Sequence, residues 1–212
     1  MRTRANRIKD FETFQDSVEA VFKKRQKTDP DYLSLEDYYG FSVCPRGRAG
    51  GINSRLIEVF YGNRPYEQEK TVSADFKIDS HLISESGAEL SVLRDDWGYV
   101  CIQMFPAKAK YGMQKEDSII LYSHMDPKRL LRPRFQKKLL QQLNSYMAVT
   151  CLEGKPTFCD RTKVFFIRLN KHLVIDEKVQ TILILKWLGE VLKFVLTVGL
   201  SGFLLTIIAK YV

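Results

Sequence analysis

The chain has 212 residues, is 45% hydrophobic and 27% charged, and carries a formal net charge of +8. That balance excludes a disordered chain, since there is enough apolar material for one compact core. The surplus of lysine and arginine points to polyanionic partners: nucleic acid, phosphate-bearing small molecules or an anionic membrane surface.

The N-terminus, MRTRANRIKDFETF, holds basic residues but no apolar stretch, so it does not read as a secretory leader. Residues 8–27 place Ile8, Phe11, Phe14, Val18, Val21 and Phe22 on one face, with Lys23, Lys24, Arg25 and Lys27 at the end. This predicts an amphipathic helix whose late cations suit its dipole, stopped before Asp29-Pro30. A short helix or turn is expected in the segment LSLEDYYGF.

Residues 44–54 read as a loop. Within it, glycine-freed amides beside Arg46 and Arg48 can cradle a phosphate, although neither a GK[ST] ending nor a GxGxxG spacing is present. The competing reading is a mobile connector.

Strands are expected at Leu56–Tyr61, Thr71–Ile78, Ala88–Arg94, Tyr99–Phe105 and Ser118–Tyr122. Asp95-Asp96-Trp97-Gly98 separates two of them as a hairpin turn. Val100, Ile102 and Met104 alternate with Tyr99, Cys101 and Gln103, which suits a sheet with one well-buried face. Asp75 and Lys77 have the acid-x-Lys spacing of metal-dependent nucleases, with Glu58 as a second acid. So short a pattern arises readily by chance, and no metal or cofactor is expected.

A helix is predicted from about Asp126 or Pro133 to Met147. Around its start, Lys128, Arg129, Arg132, Arg134, Lys137 and Lys138 put six cations in eleven residues, and no acid occurs between Asp126 and Glu153. These six are the foremost candidates for binding an anion or a partner, against the plainer reading of a solvated helix face. Phe135 is the one aromatic among them, which disfavours single-stranded nucleic acid relative to lipid or protein. Lys163–Leu169 and His172–Ile175 are then expected as strands turning at Asn170-Lys171.

The four cysteines, Cys44, Cys101, Cys151 and Cys159, form no CxxC pair and have no histidines at metal-ligand spacing. Cys151 and Cys159 are within bridging reach in sequence, but reduced thiols in a cytosol are the simpler account. His81, His124 and His172 are scattered and form no catalytic signature.

Phe194 to Ala209 is sixteen residues without a charge, clamped between Lys193 and Lys210. As a helix it would be about 24 Å long, and snorkelling lysines at both ends make up the shortfall against a hydrocarbon core of about 30 Å. Upstream, Ile182, Leu185, Leu188 and Leu192 form an amphipathic stripe, with Trp187 as an interfacial anchor. Arg161, Lys163, Arg168, Lys171 and Lys178 precede the span, so the positive-inside bias gives a single pass with a cytoplasmic N-terminus. In the span, Thr197, Gly199, Ser201, Gly202 and Thr206 are small or weakly polar and favour self-association of helices.

The expected fold class is therefore α+β: an N-terminal helical segment (1–40), a cytosolic antiparallel-sheet domain flanked by helices (41–176), and one long C-terminal helix (177–212) with its span at 194–209. The expected function is that of a tail-anchored membrane effector. Its cytosolic domain binds a partner or an anionic signal, and its C-terminal helices form a homo-oligomer that perturbs or permeabilises the bilayer. This architecture looks like that of prokaryotic defence effectors, a resemblance carried by no family motif, and it implies antiviral defence. The alternative is a tail-anchored adaptor, or a nucleic-acid-processing enzyme, held at the membrane.

Overall fold

A computed structural model of the chain describes residues 2–28, 35, 38–49, 51–72, 78–112, 114–180, 182, 189–190 and 193–194. Thr3 caps the first helix, α1 (Arg4–Gln26), whose last turn carries Lys23, Lys24 and Arg25. Phe11, Phe14, Val18 and Phe22 of the predicted face are buried, as the spacing requires.

Among the described residues nine strands follow: β1 (Phe41–Cys44), β2 (Leu56–Tyr61), β3 (Asn63–Val72), β4 (Ile78–Ser86), β5 (Glu89–Arg94), β6 (Val100–Phe105), β7 (Ser118–Met125), β8 (His172–Ile175) and β9 (Lys178–Val179). Two more helices, α2 (Pro133–Thr150) and α3 (Phe158–Asn170), lie between β7 and β8. Seven strands form one sheet in the order β1-β2-β5-β6-β7-β8-β9, antiparallel throughout, while β3 and β4 form a separate two-stranded sheet whose Ser86 also bridges to Lys108. The expected α+β class with an antiparallel sheet flanked by helices is thus present.

Side-chain alternation builds the core. Ile57, Val59, Leu90, Val92, Val100, Ile102, Met104, Ile119 and Leu121 bury one face of the sheet, and α1 and α2 cover it with phenylalanines and with Leu139, Leu140, Leu143 and Met147. A buried polar relay ties the layers together. Gln26 of α1 donates to the Tyr61 hydroxyl at 2.7 Å, and that hydroxyl donates to Asn144 Oδ1 of α2 at 2.9 Å. The Asp95–Gly98 turn is where it was expected, with Gly98 at φ 81°.

Three expectations need correction. Lys163–Leu169 is helical, inside α3, and not a strand. Thr157 and Asp160 form a reciprocal capping box that starts the helix and satisfies its free amides. The apolar residues of α3 lie on two faces, Val164 and Ile167 inward and Phe158, Phe165 and Phe166 outward, so no 3.6-residue stripe betrays it. Consequently Asn170-Lys171 links α3 to β8, and the hairpin turn falls at Asp176-Glu177, both with positive φ.

The expected strand Thr71–Ile78 is not continuous, since Thr71 and Val72 close β3, Ile78 opens β4, and the two strands pair antiparallel. Residues 73–77 lie outside the described residues. Among the described residues no helix is long and apolar enough to cross a membrane, and of the expected span at 194–209 only Phe194 is described.

Candidate anion-binding face

The distal end of β7 is irregular. Its register against β6 slips between Gln103↔Ile120 and Ile102↔Tyr122, and again before Val100↔Met125. His124 adopts φ 52°, a left-handed conformation uncommon outside glycine. Bulges of this kind re-aim side chains beside functional sites. Here they open a groove of about 460 Å³ lined by Tyr122, His124 and Asp126 of the β7 end, with Lys128, Arg129 and Arg132 opposite. That volume lies within the range of small-ligand clefts.

The Asp126 side chain accepts the Lys128 amide at 2.9 Å and thereby caps the 3-10 turn Pro127–Arg129 that presents the cations. Its charge is already matched by Arg2 at 3.0 Å. The Arg129 guanidinium lies over the rings of Tyr122 (5.0 Å) and Phe135 (4.9 Å), which meet edge-on at 5.2 Å. From the other side Lys171 Nζ sits 4.3 Å from the Tyr122 centroid.

Aromatic faces hold these cations where carboxylates normally would. No ion pair of Lys128, Arg129, Arg132, Arg134, Lys137, Lys138 or Lys171 occurs among the described residues. Burial, and then the charges of Lys138 and Arg129, hold the Lys171 ammonium below the ordinary lysine range. An anion entering here relieves that repulsion. Beside the groove, Arg7, Tyr99 and His124 form a stack: the guanidinium lies 4.1 Å from the tyrosine centroid and the imidazole 3.7 Å from it on a nearly parallel plane.

The six sequence cations do not form one patch. Lys128, Arg129 and Arg132 line the groove. Lys138 lines a second hollow of about 390 Å³ between α2 and α3, shared with Lys163, Phe166 and Lys171. Arg134 and Lys137 are exposed on α2 and line neither.

Arg46 and Arg48 sit elsewhere, at the edge of β1 and β2 beside α1. Arg48 is committed there. Its guanidinium pairs with Glu89 and, at 3.7 Å, with Glu58, and it stacks 3.8 Å from the Phe60 ring. Burial raises the Glu89 carboxyl above its usual range in spite of Arg48, with Glu58 adding to the rise. The buried Gln15 amide donates to the Pro45 carbonyl, which ties the loop to α1 at its base. A phosphate at Arg48 would have to displace two carboxylates.

Of the acid-x-Lys pattern, Asp75 and Lys77 lie outside the described residues. Glu58 faces Arg48 and also accepts its backbone amide at 2.7 Å. Among the described residues no three His, Cys, Asp or Glu side chains are grouped to hold a metal ion. All four cysteines are free; burial pushes the Cys151 thiol up to about 12 and also raises Cys101, so neither is a poised nucleophile. Thr197, Gly199, Ser201, Gly202 and Thr206 lie outside the described residues.

Tyr122, His124 and Lys171 escaped the linear reading. Lys171 is brought against the Tyr122 ring by the helical fold of α3, which the sequence pattern hides. No protein-family model matches the chain, and no curated protein or solved structure matches it either.

Proposed function

We propose that the protein is a single-pass membrane effector, anchored through 194–209 with its α+β domain on the cytoplasmic side. In this reading the face around Tyr122 binds an anionic signal or partner, and the membrane helices self-associate through Thr197, Gly199, Ser201, Gly202 and Thr206 to permeabilise the bilayer. Such an assembly suits prokaryotic antiviral defence.

The observation that carries the binding half is the pair Arg129 and Lys171, both held on the Tyr122 ring without carboxylate partners among the described residues, Arg129 lining the groove and Lys171 the neighbouring hollow. The membrane half is supported by the sixteen uncharged residues between Lys193 and Lys210. Neither half involves a cofactor.

Expression in bacteria should dissipate the membrane potential, read with a potential-sensitive dye. Gly199→Leu or Gly202→Leu should abolish the effect while the chain still pellets with membranes after carbonate washing. An intact potential in cells that hold the chain in the membrane, with the groove ligand supplied, would leave the tail as an address only and make the protein an anchored adaptor.

A further inference from the structure

The solvent side of α3 is unlike an ordinary helix surface. Phe158, Phe165 and Phe166 are 84%, 60% and 54% exposed, three large aromatics on a helix whose inward face is also apolar. At about 100° per residue Phe158, Thr162, Phe165, Phe166 and Leu169 fall on one arc, with Cys159 beside Phe166. Soluble surfaces rarely gather such a patch without a partner.

The patch has a cationic border. Phe166 shares the α2–α3 hollow with Lys138, Lys163 and Lys171. Of these, only Lys163 has an acid near it, Asp160 at 3.7 Å. Aromatic rings between lysines form the composition of a surface that sits at the boundary of an anionic membrane, the rings among the upper acyl chains and the ammoniums among the phosphates.

The continuously described chain ends after β9, against β8. Gln180 is the last residue of the continuously described chain, and its amide donates to the Leu173 carbonyl at 2.7 Å while its carbonyl lies 3.2 Å from His172 Nδ1. The exit point therefore lies beside β8, whose first residue, His172, follows Lys171 in the chain. From Gln180 to Phe194 even a fully extended chain reaches only about 50 Å.

We infer that the outer face of α3, with Lys138, Lys163 and Lys171 at its border, docks on the anionic lipid headgroups of the membrane in which the tail is anchored. The inference rests on the membrane reading of 194–209. It adds an orientation: α3 faces the bilayer, and the groove at Tyr122 opens along its margin.

The exposed Cys159 is a native reporter on this face. The full-length chain is placed in nanodiscs of phosphatidylcholine alone or mixed with phosphatidylserine, and the alkylation rate of Cys159 by a membrane-impermeant maleimide is measured. Phosphatidylserine should slow the reaction about tenfold. Lys138→Glu, Lys163→Glu and Lys171→Glu together, or Phe165→Ser with Phe166→Ser, should restore the fast rate.

Equal rates in the two discs would overturn the inference. Slow rates in both discs and in detergent, indifferent to the lysine changes, would overturn it in favour of cover by the chain's own segment 181–193 or by a second copy. Carbonate release of the chain from membranes is a separate readout. Release sinks the membrane reading itself, whereas a retained chain with an unprotected Cys159 sinks the docking alone.

Discussion

Lys171 is a site residue whose chemistry is altered by its surroundings. Burial and the nearby Lys138 and Arg129 depress its proton affinity in the folded protein. The charged form therefore costs the native state stability at neutral pH. The cost is relieved as pH rises from the depressed value toward the ordinary lysine value of about 10.4, because the unfolded chain then holds the proton that the folded chain has released. A bound anion reverses the balance by favouring the ammonium, so binding takes up a proton in the alkaline range. Affinity for inorganic tripolyphosphate, measured by calorimetry on the detergent-solubilised chain, should fall as pH rises through that window. Lys171→Met should weaken binding at neutral pH on the order of fivefold, roughly 1 kcal/mol, and remove the alkaline decline. A pH profile unchanged in the variant would show that Lys171 does not face the anion.

Among the elements, α3 is the one whose docking is most sharply defined. Its Arg168 donates to the buried Glu116 through Nε at 2.8 Å and pairs through Nη2 at 2.7 Å, while the Tyr146 hydroxyl of α2 donates to the same oxygen at 2.8 Å. Burial and Glu116 together raise the Tyr146 hydroxyl, which stays a donor at any ordinary pH. Arg168→Met strands a carboxylate that is 1% exposed, and the chain should lose about 3–5 kcal/mol of unfolding free energy in a denaturant titration. Adding Glu116→Gln should return most of it, since the amide still accepts from Tyr146 without carrying a charge. A single variant as stable as the parent would mean that α3 is held by its apolar contacts alone.

This same helix shows where sequence patterns lose their grip. The helices α1 and α2 and the strands β2, β5 and β6 were legible because each buries one face and exposes the other, so that a period appears. In α3 valine and isoleucine face the core while phenylalanine faces outward, and the local run Val164-Phe165-Phe166-Ile167 mimics a buried strand. Its Thr157-x-x-Asp160 start was readable as a cap. The β3–β4 hairpin failed for the opposite reason: it is exposed on both faces for most of its length, and polar residues leave no alternation to detect. At the site, the basic cluster was visible because it is contiguous, whereas Tyr122 and Lys171 join it only through a bulge and a helix.

At the scale of the whole molecule, the seven-stranded sheet is complete without the β3–β4 arm. β2 pairs directly with β5 through Phe60↔Glu89, and the Gly87 amide donates to the Gly62 carbonyl at 3.1 Å, closing the arm at its root. Gly87 is required there, since a Cβ would lie 2.4 Å from the Tyr61 Cβ. The root also holds Glu85, which accepts from the Tyr39 hydroxyl and from the Leu152 amide at 2.9 Å. Joining Gly62 directly to Gly87 should leave a chain that still unfolds in one cooperative step, less stable by about 1–3 kcal/mol for the donors left unmatched. Loss of the cooperative transition would show that the arm nucleates the sheet.

An appendage rooted on two hydrogen-bonded glycines can be lengthened, trimmed or rewritten without disturbing the register of the strands that carry it. Selection acting on its tip is thereby uncoupled from selection on the scaffold. Among descendants of a common ancestor, this is the stretch where novelty would accumulate fastest while the seven-stranded sheet stood still.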